Sequence, residues 1–191
     1  MVKKGSKISS DQFFWAGPAV GAPMAVLTME KLIAMGGRRF IIMGWCGSLS
    51  ESLRIGDVLL PTWGKSEEGT SAHYPVDQRA ESHGATRQQL ANSLEQCDIK
   101  TTQGPIWTTD APYRETRDKI RDYGHQGLLG VDMEFSALCT LAIFRNVEMA
   151  AVMLISDELW HDPWQPGYGQ KRFRSQSIKI LTLLLEMVEK I

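Results

Sequence analysis

The chain has 191 residues, of which 43% are hydrophobic and 23% are charged, and its formal net charge is −1. This length favours one α/β domain with a sizeable core, and the near-zero charge gives no basic surface for nucleic acid. The apolar carboxyl-terminal stretch is interrupted by lysine and glutamate, so it predicts an amphipathic helix and not a membrane span. The cysteines Cys46, Cys97 and Cys139 match no zinc or disulfide spacing, which indicates a reducing compartment and a cytoplasmic protein.

The first predicted elements are a strand, a helix and a second strand. A short apolar strand at residues 13–16 runs into the turn GPAVGAP, and a helix follows at residues 24–35. Gly36 and Gly37 end this helix, and residues 39–43 form the next buried strand. This order predicts a βαβ unit with a right-handed crossover.

Gly44-Trp45-Cys46-Gly47 follows the second strand. Two interpretations are open. The segment resembles an anion-binding loop in outline, but Gly-x-x-Gly alone is a weak signal, and a tight strand-to-loop turn explains it equally well. The sequence has no lysine at the position that a P-loop requires.

The middle of the chain alternates between strands and helices. A strand is predicted at residues 58–61, and the polar segment 62–84 is long enough to indicate a functional loop. A helix at residues 86–97, a strand at 102–108 and a charged surface helix at 112–123 follow. The four histidines of the chain lack paired ligand spacing, so no metal site is expected.

The most informative stretch begins with a short strand at residues 128–131 and the triplet Asp132-Met133-Glu134. A helix is predicted at residues 135–145, and residues 149–155 form an apolar run that stops at Ser156-Asp157. Such a run is typical of a strand that is buried on both faces of a sheet. Ligands of open α/β sheets lie beyond the carboxyl ends of the strands, so Asp157 is expected at a ligand site.

Each carboxylate of this stretch has two interpretations. Asp157 is either a cap or turn residue, or a general acid whose charged form is disfavoured by apolar walls. Glu134 either lies in the first turn of its helix or accepts hydrogen bonds from both hydroxyls of a ribose. Met133 beside it either belongs to the core or packs against a sugar. The following segment, residues 158–169, holds three aromatic residues and is predicted to be a loop or lid.

Six motifs occur together in a familiar order. They are FFWAGPAVGAPMAVLTMEKLIAMGGRRFII, MGWCGSLSESLRIGDVLLPT, EGTSAHYP, TTDAPYRET, GVDMEFSAL and LISDEL. Each is weak alone, but in this order and spacing they resemble the nucleoside phosphorylase-I family, the purine nucleoside and uridine phosphorylases. The resemblance extends from about Phe13 to the last helix. It implies a single-domain, three-layer α/β/α fold with a central mixed, largely parallel sheet.

The resemblance also implies a glycosyltransferase that cleaves the N-glycosidic bond of a nucleoside with phosphate. The transition state resembles an oxocarbenium ion, so the enzyme must stabilise the leaving base and hold the ribose. Asp157 would protonate the purine at the ring nitrogen nearest the sugar bond. Glu134 would bind the ribose hydroxyls, and Met133 would lie beneath the sugar.

Further residues and partners follow from the same resemblance. Asp132 would assist as a second acid, Cys46 and Gly47 would line the base side, and Tyr113 would lie near the base. The Ser156-Asp157 pair resembles the purine-specific members. The resemblance implies no cofactor, with inorganic phosphate as co-substrate, and a homo-oligomer of dimers that combine into trimers or hexamers.

Two features depart from the family pattern. Ile42 stands where phosphorylases carry a phosphate-binding arginine, and Trp45 replaces their serine or threonine; neither offers the phosphate contacts of a guanidinium. The resemblance therefore describes residues 1–191 as one domain that lacks the family's first strand and phosphate loop. Two alternatives to a phosphorylase remain open: a nucleosidase that uses water, and a catalytically degenerate subunit that binds nucleoside or assembles with a paralogue.

Overall fold

A computed structural model describes the backbone of residues 2–4 and 13–189 and the side chains of residues 13–187. The strands are β1 Val2–Lys4, β2 Phe14–Ala16, β3 Arg39–Ser48, β4 Val58–Glu67, β5 Thr101–Thr109, β6 Gly130–Asp132, β7 Glu148–Glu158 and β8 Gln165–Pro166. The helices are α1 Ala22–Ala34, α2 Gly84–Glu95, α3 Arg117–His125, α4 Phe135–Arg145 and α5 Lys171–Glu189. Short 3-10 turns lie at Ser71–His73 and Pro112–Arg114.

The central sheet is mixed, as predicted. Its strands follow the order β3-β6-β5-β4-β7-β8, and β3 also pairs with β7, so five of the strands close into a ring. The longest ladders, β3 with β7 and β4 with β5, are parallel. The antiparallel pairings of β3 with β6, of β4 with β7 and of β7 with β8 are short.

Helices cover the sheet on two sides and confirm the predicted three-layer arrangement. Helices α1 and α4 pack against one side, where Val26, Met29 and Leu141 are buried with the odd-numbered apolar residues of β7. Helices α2 and α5 pack against the other side, where Leu90 and Ile180 are buried with the even-numbered residues. Because β7 is covered from both sides, its long apolar run is explained. None of the helices in the described part of the chain is both long and apolar enough to cross a membrane.

The connection from α4 into β7 follows directly from the sequence. Helix α4 has the predicted bounds, and it ends at Asn146, which has a left-handed backbone with φ 52°. Asparagine tolerates this conformation better than most residues, so the chain can turn sharply. Val147 then leads into β7, which starts at Glu148.

The predicted βαβ unit at the start of the chain is wrong. Within the described residues, β2 pairs with β1 in a separate two-stranded antiparallel sheet and not with β3. The strand has three residues, and none of them is fully buried. A strand this short and exposed suits an outlying ribbon better than a central sheet.

Three strands run further than their apolar segments indicate. β3 continues to Ser48, so Gly44–Gly47 is part of a strand, and neither the anion-binding loop nor the tight turn considered for it is present. β4 continues to Glu67, so the loop expected from residue 62 starts six residues later. β7 continues to Glu158, which places Asp157 inside the strand. Sheet pairing overrides local propensity here, because polar residues and glycines are held by neighbouring strands.

The charged helix predicted at residues 112–123 also starts later. Residues Pro112–Arg114 form a 3-10 turn, and α3 begins at Arg117. The side-chain oxygen of Thr116 accepts a hydrogen bond from the amide of Lys119, which is the usual N-cap arrangement.

Candidate functional site

The segments that carry the two predicted carboxylates both reach the carboxyl-terminal part of β3. Near its carboxyl end, β3 runs between β6 and β7, and Gly47 is paired with Val131 on one side and with Asp157 on the other. Adjacent strands are about 4.8 Å apart, so the backbones of Val131 and Asp157 are separated by about 10 Å. Glu134 follows Val131 after three residues. The fold therefore brings together two segments that are 20 residues apart or more in the chain.

Asp157 is buried, and its carboxylate is surrounded by polar and aromatic side chains. Its Oδ1 accepts hydrogen bonds from the hydroxyl of Ser156 at 2.6 Å and from that of Tyr168 at 3.4 Å. Its Oδ2 accepts one from the indole nitrogen of Trp164 at 2.8 Å. Trp164 and Tyr168 belong to the segment predicted as a loop or lid, which contains the short strand β8 paired with β7. This segment thus covers Asp157 and orients its carboxylate.

Gly47 and Cys46 separate Asp157 from Asp132. A Cβ on Gly47 would lie 2.6 Å from Leu159 and 3.1 Å from the carboxylate of Asp157, so only glycine fits this position without a shift. Burial raises the pKa of the Cys46 thiol well above its usual value, and the charges of Asp132 and Asp157 raise it further. Cys46 is therefore a neutral thiol that lies near both carboxylates.

Glu115 is a further carboxylate near Asp157 that the sequence analysis missed. It follows the 3-10 turn after β5 and is half-buried. Burial raises its pKa to about 7, and the charge of Asp157 adds to this effect. Arg117, two residues after Glu115, is hydrogen-bonded to the covering segment: it donates to the carbonyl of Leu159 at 3.0 Å and to Asp162 at 3.0 Å. The sequence signal for it was its position within the motif TTDAPYRET.

This raised pKa predicts a pH-dependent stability. Between about pH 4.5 and pH 7 Glu115 ionises in the unfolded chain before it ionises in the folded one, so its contribution to stability is lost as the pH rises. After allowance for solvent screening of a half-exposed group, the loss is about 1 kcal/mol, or about 2 to 4 °C in Tm. Glu115→Gln is therefore expected to have a higher Tm than the wild type at pH 8 and the same Tm as the wild type at pH 4.

Calorimetric melting at these two pH values checks this expectation. Glu95→Gln, which removes an exposed carboxylate at the end of α2, is the matched control. An equal change in Tm at both pH values for Glu115→Gln would contradict the assignment of the raised pKa to this residue.

Asp132 has a structural position at the start of α4. Its Oδ2 accepts hydrogen bonds from the amides of Glu134 at 3.1 Å and Phe135 at 2.7 Å, and its Oδ1 accepts one from the hydroxyl of Thr108 at 2.7 Å. Burial raises the pKa of Asp132 to about 7 against these hydrogen bonds, and the charge of Glu134 also raises it. Asp132 thus caps α4 and fixes the backbone from which Glu134 projects.

Asp132→Ala is expected to destabilise the fold by about 3 kcal/mol, because two amides and a hydroxyl lose their buried acceptor. For a chain of this size this corresponds to a decrease in Tm of about 6 to 12 °C. Asp132→Asn keeps the shape of the side chain and one acceptor oxygen, so its loss of unfolding free energy should be about a third of that of Asp132→Ala. An alanine variant that melts within about 2 °C of the wild type would show that the cap contributes little.

Glu134 projects toward the start of α1. Its Oε1 accepts a hydrogen bond of 2.5 Å from the amide of Gly21. Burial raises the pKa of Glu134 and the charge of Asp110 adds to it, while hydrogen bonds from the amides of Gly21 and Met133 act in the opposite direction. The carboxylate is half-buried, so part of it remains open to a ligand.

A cleft of about 530 Å³ opens between α1 and the loop that follows β4. It is lined by Pro23, Val26, Leu27, Glu30, Gly69, Thr70, His73, Tyr74 and Asp110. Pro23 is two residues from Gly21, and Asp110 is the residue whose charge acts on Glu134. Neither Glu134 nor Asp157 lines this cleft, but its wall includes Asp110, whose charge acts on Glu134.

The other predicted site residues are distributed around this centre. Met133 is half-buried beside Glu134. Tyr113 is fully exposed, which leaves it outside the packed group around Asp157. Ile42 packs against the core under α1 and α4, and Trp45 lies on the opposite side of the sheet, with its ring centroid 5.2 Å from that of Phe173. Ile42 and Trp45 are thus on different sides of β3.

Among the side chains that the structure describes, no group of three or more histidine, cysteine, aspartate or glutamate residues is arranged to hold a metal ion.

The fold and the site together define a three-layer α/β protein with a pair of carboxylates at one end of a mixed sheet. The chain belongs to the phosphorylase superfamily, whose sequence profile matches residues 5–186. This confirms the family resemblance that the six sequence motifs indicated.

Individual relatives are more distant. The chain is similar to a guanosine phosphorylase of Halorubrum lacusprofundi, with 29% identity over 141 residues, which cover 73% of this chain and 58% of the relative. It is also similar to a DeoD-type purine nucleoside phosphorylase of Bacillus thuringiensis, with 24% identity over 170 residues, which cover 82% of this chain and 66% of the relative. The chain therefore spans less than two thirds of these relatives.

Proposed function

We propose that the protein cleaves the N-glycosidic bond of a purine nucleoside. In this proposal Glu134 accepts hydrogen bonds from the ribose hydroxyls, and Asp157 donates a proton to the departing purine. The names of the two relatives, a guanosine phosphorylase and a purine nucleoside phosphorylase, support a purine as the base.

One observation carries the proposal: Asp157 and Val131, which comes three residues before Glu134, flank Gly47 on the two sides of β3. A nucleoside is about 10 Å long, which matches the distance of about 10 Å from the backbone of β6 across β3 to that of β7. In this proposal the half-buried Glu134 supplies acceptor oxygens for the sugar, and the base lies at the buried Asp157. A carboxyl group in such a position can supply a proton as the bond to the sugar breaks.

The neighbours of Asp157 fix the orientation of its carboxylate and include a second carboxylate. Trp164 holds one carboxylate oxygen through a hydrogen bond of 2.8 Å, so the orientation of the group is fixed before the ligand binds. The second carboxylate, Glu115, lies close enough for the two charges to oppose each other. We infer that this opposition favours the protonated form of Glu115 at neutral pH.

The attacking group is a separate question, and one observation favours water. Ile42 is packed into an apolar core, and Trp45 contacts Phe173 and Tyr168 on the other side of the sheet. Ile42 has no hydrogen-bond donor, and the single indole N–H of Trp45 cannot replace the bidentate contacts that a guanidinium makes with phosphate. A nucleosidase that uses water is therefore the second candidate function, and a subunit that binds nucleoside without turnover is the third outcome of the test.

The test is the release of base from inosine and from adenosine, with and without inorganic phosphate. Release that depends on phosphate is the result expected of a phosphorylase, and equal release in phosphate-free buffer identifies a nucleosidase. Binding of nucleoside in a calorimeter without release identifies the degenerate subunit. A protein that releases no base and binds no nucleoside would overturn the proposal.

The proposal includes a homo-oligomer built from dimers and a cytoplasmic location. The family resemblance supports the oligomer, and the free state of Cys46, Cys97 and Cys139 agrees with a reducing compartment. Analytical ultracentrifugation tests the oligomer, since a monomer at micromolar concentration would contradict it.

A further inference from the structure

Glu68 is a buried carboxylate whose hydrogen bonds join two parts of the site. It is 7% exposed and lies directly after β4. Its Oε2 accepts hydrogen bonds from the amides of Thr70 at 2.7 Å and Ser71 at 3.0 Å. Its Oε1 accepts hydrogen bonds from the hydroxyls of Ser66 at 2.8 Å, Ser136 at 3.0 Å and Ser71.

The hydrogen bond to Ser136 connects Glu68 to the backbone of Glu134. The amide of Ser136 donates to the hydroxyl of Thr108 at 3.0 Å, and this hydroxyl donates to Asp132 at 2.7 Å. Asp132 in turn accepts from the amide of Glu134 at 3.1 Å. Every side chain in this path is buried, so water does not compete for the hydrogen bonds.

The other hydrogen bonds of Glu68 fix the loop that forms one wall of the cleft. Gly69 and Thr70 line the cleft, and Thr70 is held by Glu68 directly. Gly69 donates its amide to Asp110 at 2.9 Å, and Asp110 lies near Glu134. One carboxylate therefore sets the position of the loop wall and of the first turn of α4 together.

Glu68 is ionised under ordinary conditions. Burial alone would raise its pKa, but the hydrogen bonds from Ser71, Ser66 and Ser136 outweigh burial and lower it. An ionised carboxylate only accepts hydrogen bonds, and charge-assisted bonds are about twice as strong as neutral ones. This charge state suits a group that has to hold several donors in fixed positions.

We propose that Glu68 is a positioning residue that sets the place of Glu134 relative to the cleft, and so controls how the protein binds the sugar of its ligand. The inference rests on the proposed function for its ligand, a purine nucleoside. Glu68 does not touch the sugar: it acts on Glu134 through Ser136 and the start of α4, and on the wall of the cleft through Thr70 and Ser71.

Two serines provide a matched pair of variants. Ser136→Ala removes one hydrogen bond to Glu68 and cuts the connection to α4, while alanine preserves the helix. Ser66→Ala also removes one hydrogen bond to Glu68, but on the β4 side, where the connection to α4 stays intact. A purely structural role of Glu68 predicts the same effect for both variants.

The first measurement is kinetic. KM for inosine and the inhibition constant of free hypoxanthine are determined for the wild type and both variants, with adenosine and adenine as a second pair. Ser136→Ala is expected to raise KM for the nucleoside roughly tenfold and to change the inhibition constant of the base less than about twofold. Ser66→Ala is expected to leave both constants near their wild-type values.

The second measurement does not depend on activity. Hydrogen exchange of the amides of residues 134–136 is expected to accelerate in Ser136→Ala and to stay unchanged in Ser66→Ala. Equal effects of both variants on KM, or unchanged exchange in Ser136→Ala, would overturn the inference.

The two measurements also separate this inference from the proposed function. A wild-type protein that releases no base and binds no nucleoside overturns the proposed function, and with it the sugar-binding role given to Glu68. If the wild type is active and Ser136→Ala lowers the affinity for the nucleoside and for the base equally, the positioning role alone is overturned.

Discussion

Asp157→Asn is expected to lower the rate of base release by about a thousandfold or more while the fold is preserved. Asparagine has no acidic proton, so the leaving purine would depart with its charge uncompensated. The amide fits the site, because its oxygen can still accept from Trp164, and its NH₂ group can face the hydroxyls of Ser156 and Tyr168, which can accept as well as donate.

Steady-state rates and melting temperatures of the wild type and the variant check this expectation. Asp118→Asn, which replaces an exposed aspartate that pairs with Arg121 on α3, is the matched control and should keep the wild-type rate. A wild-type rate in Asp157→Asn would remove Asp157 from the mechanism, whatever its position.

Glu134→Ala is expected to raise KM for the nucleoside about a hundredfold, because two hydroxyls of the ribose lose a charged acceptor. The affinity for the free base should change little, since the base would lie at Asp157. Glu134→Gln retains an acceptor oxygen, so its KM for the nucleoside should rise only about tenfold.

The control for this variant is Glu186→Ala on α5, in the layer on the opposite side of the sheet. Inhibition by the free base separates a local effect from a general one. An equal loss of nucleoside and base affinity in Glu134→Ala would show that Glu134 supports the fold of the site and does not bind the sugar.

The centre of the fold could be predicted because local signals agree there. The apolar run at residues 149–155, the left-handed Asn146 and the acidic residues before α4 each indicate the same helix and strand. A helix that ends in a left-handed residue favours asparagine or glycine there, and a strand covered on both faces has a continuous apolar run, so both features can be recognised in a sequence.

The strand ends could not be predicted, because sheet pairing determines them. Gly44–Gly47 looks like a turn, yet β3 continues through it since β7 pairs with β3 along its whole length. A Cβ on Gly44 would lie 2.8 Å from the sulfur of Met153, so this glycine serves close packing and not a loop. Such a contact depends on a residue more than 100 positions away.

Glu115 and Glu68 show the same limit at the site. Each is an ordinary acidic residue in its local sequence, and its importance arises from partners such as Asp157 and Ser136 that the fold brings close. Motifs identified the segments that contain these residues, TTDAPYRET and EGTSAHYP, but not which residue in them contacts the site.

The most direct test of the account is a crystal structure of Asp157→Asn with inosine bound. The account predicts that the ribose hydroxyls lie within about 3 Å of the Glu134 carboxylate and that the purine contacts residue 157, with Cys46 and Gly47 between them. An inosine molecule that touches only one of these two residues, or neither, would contradict it.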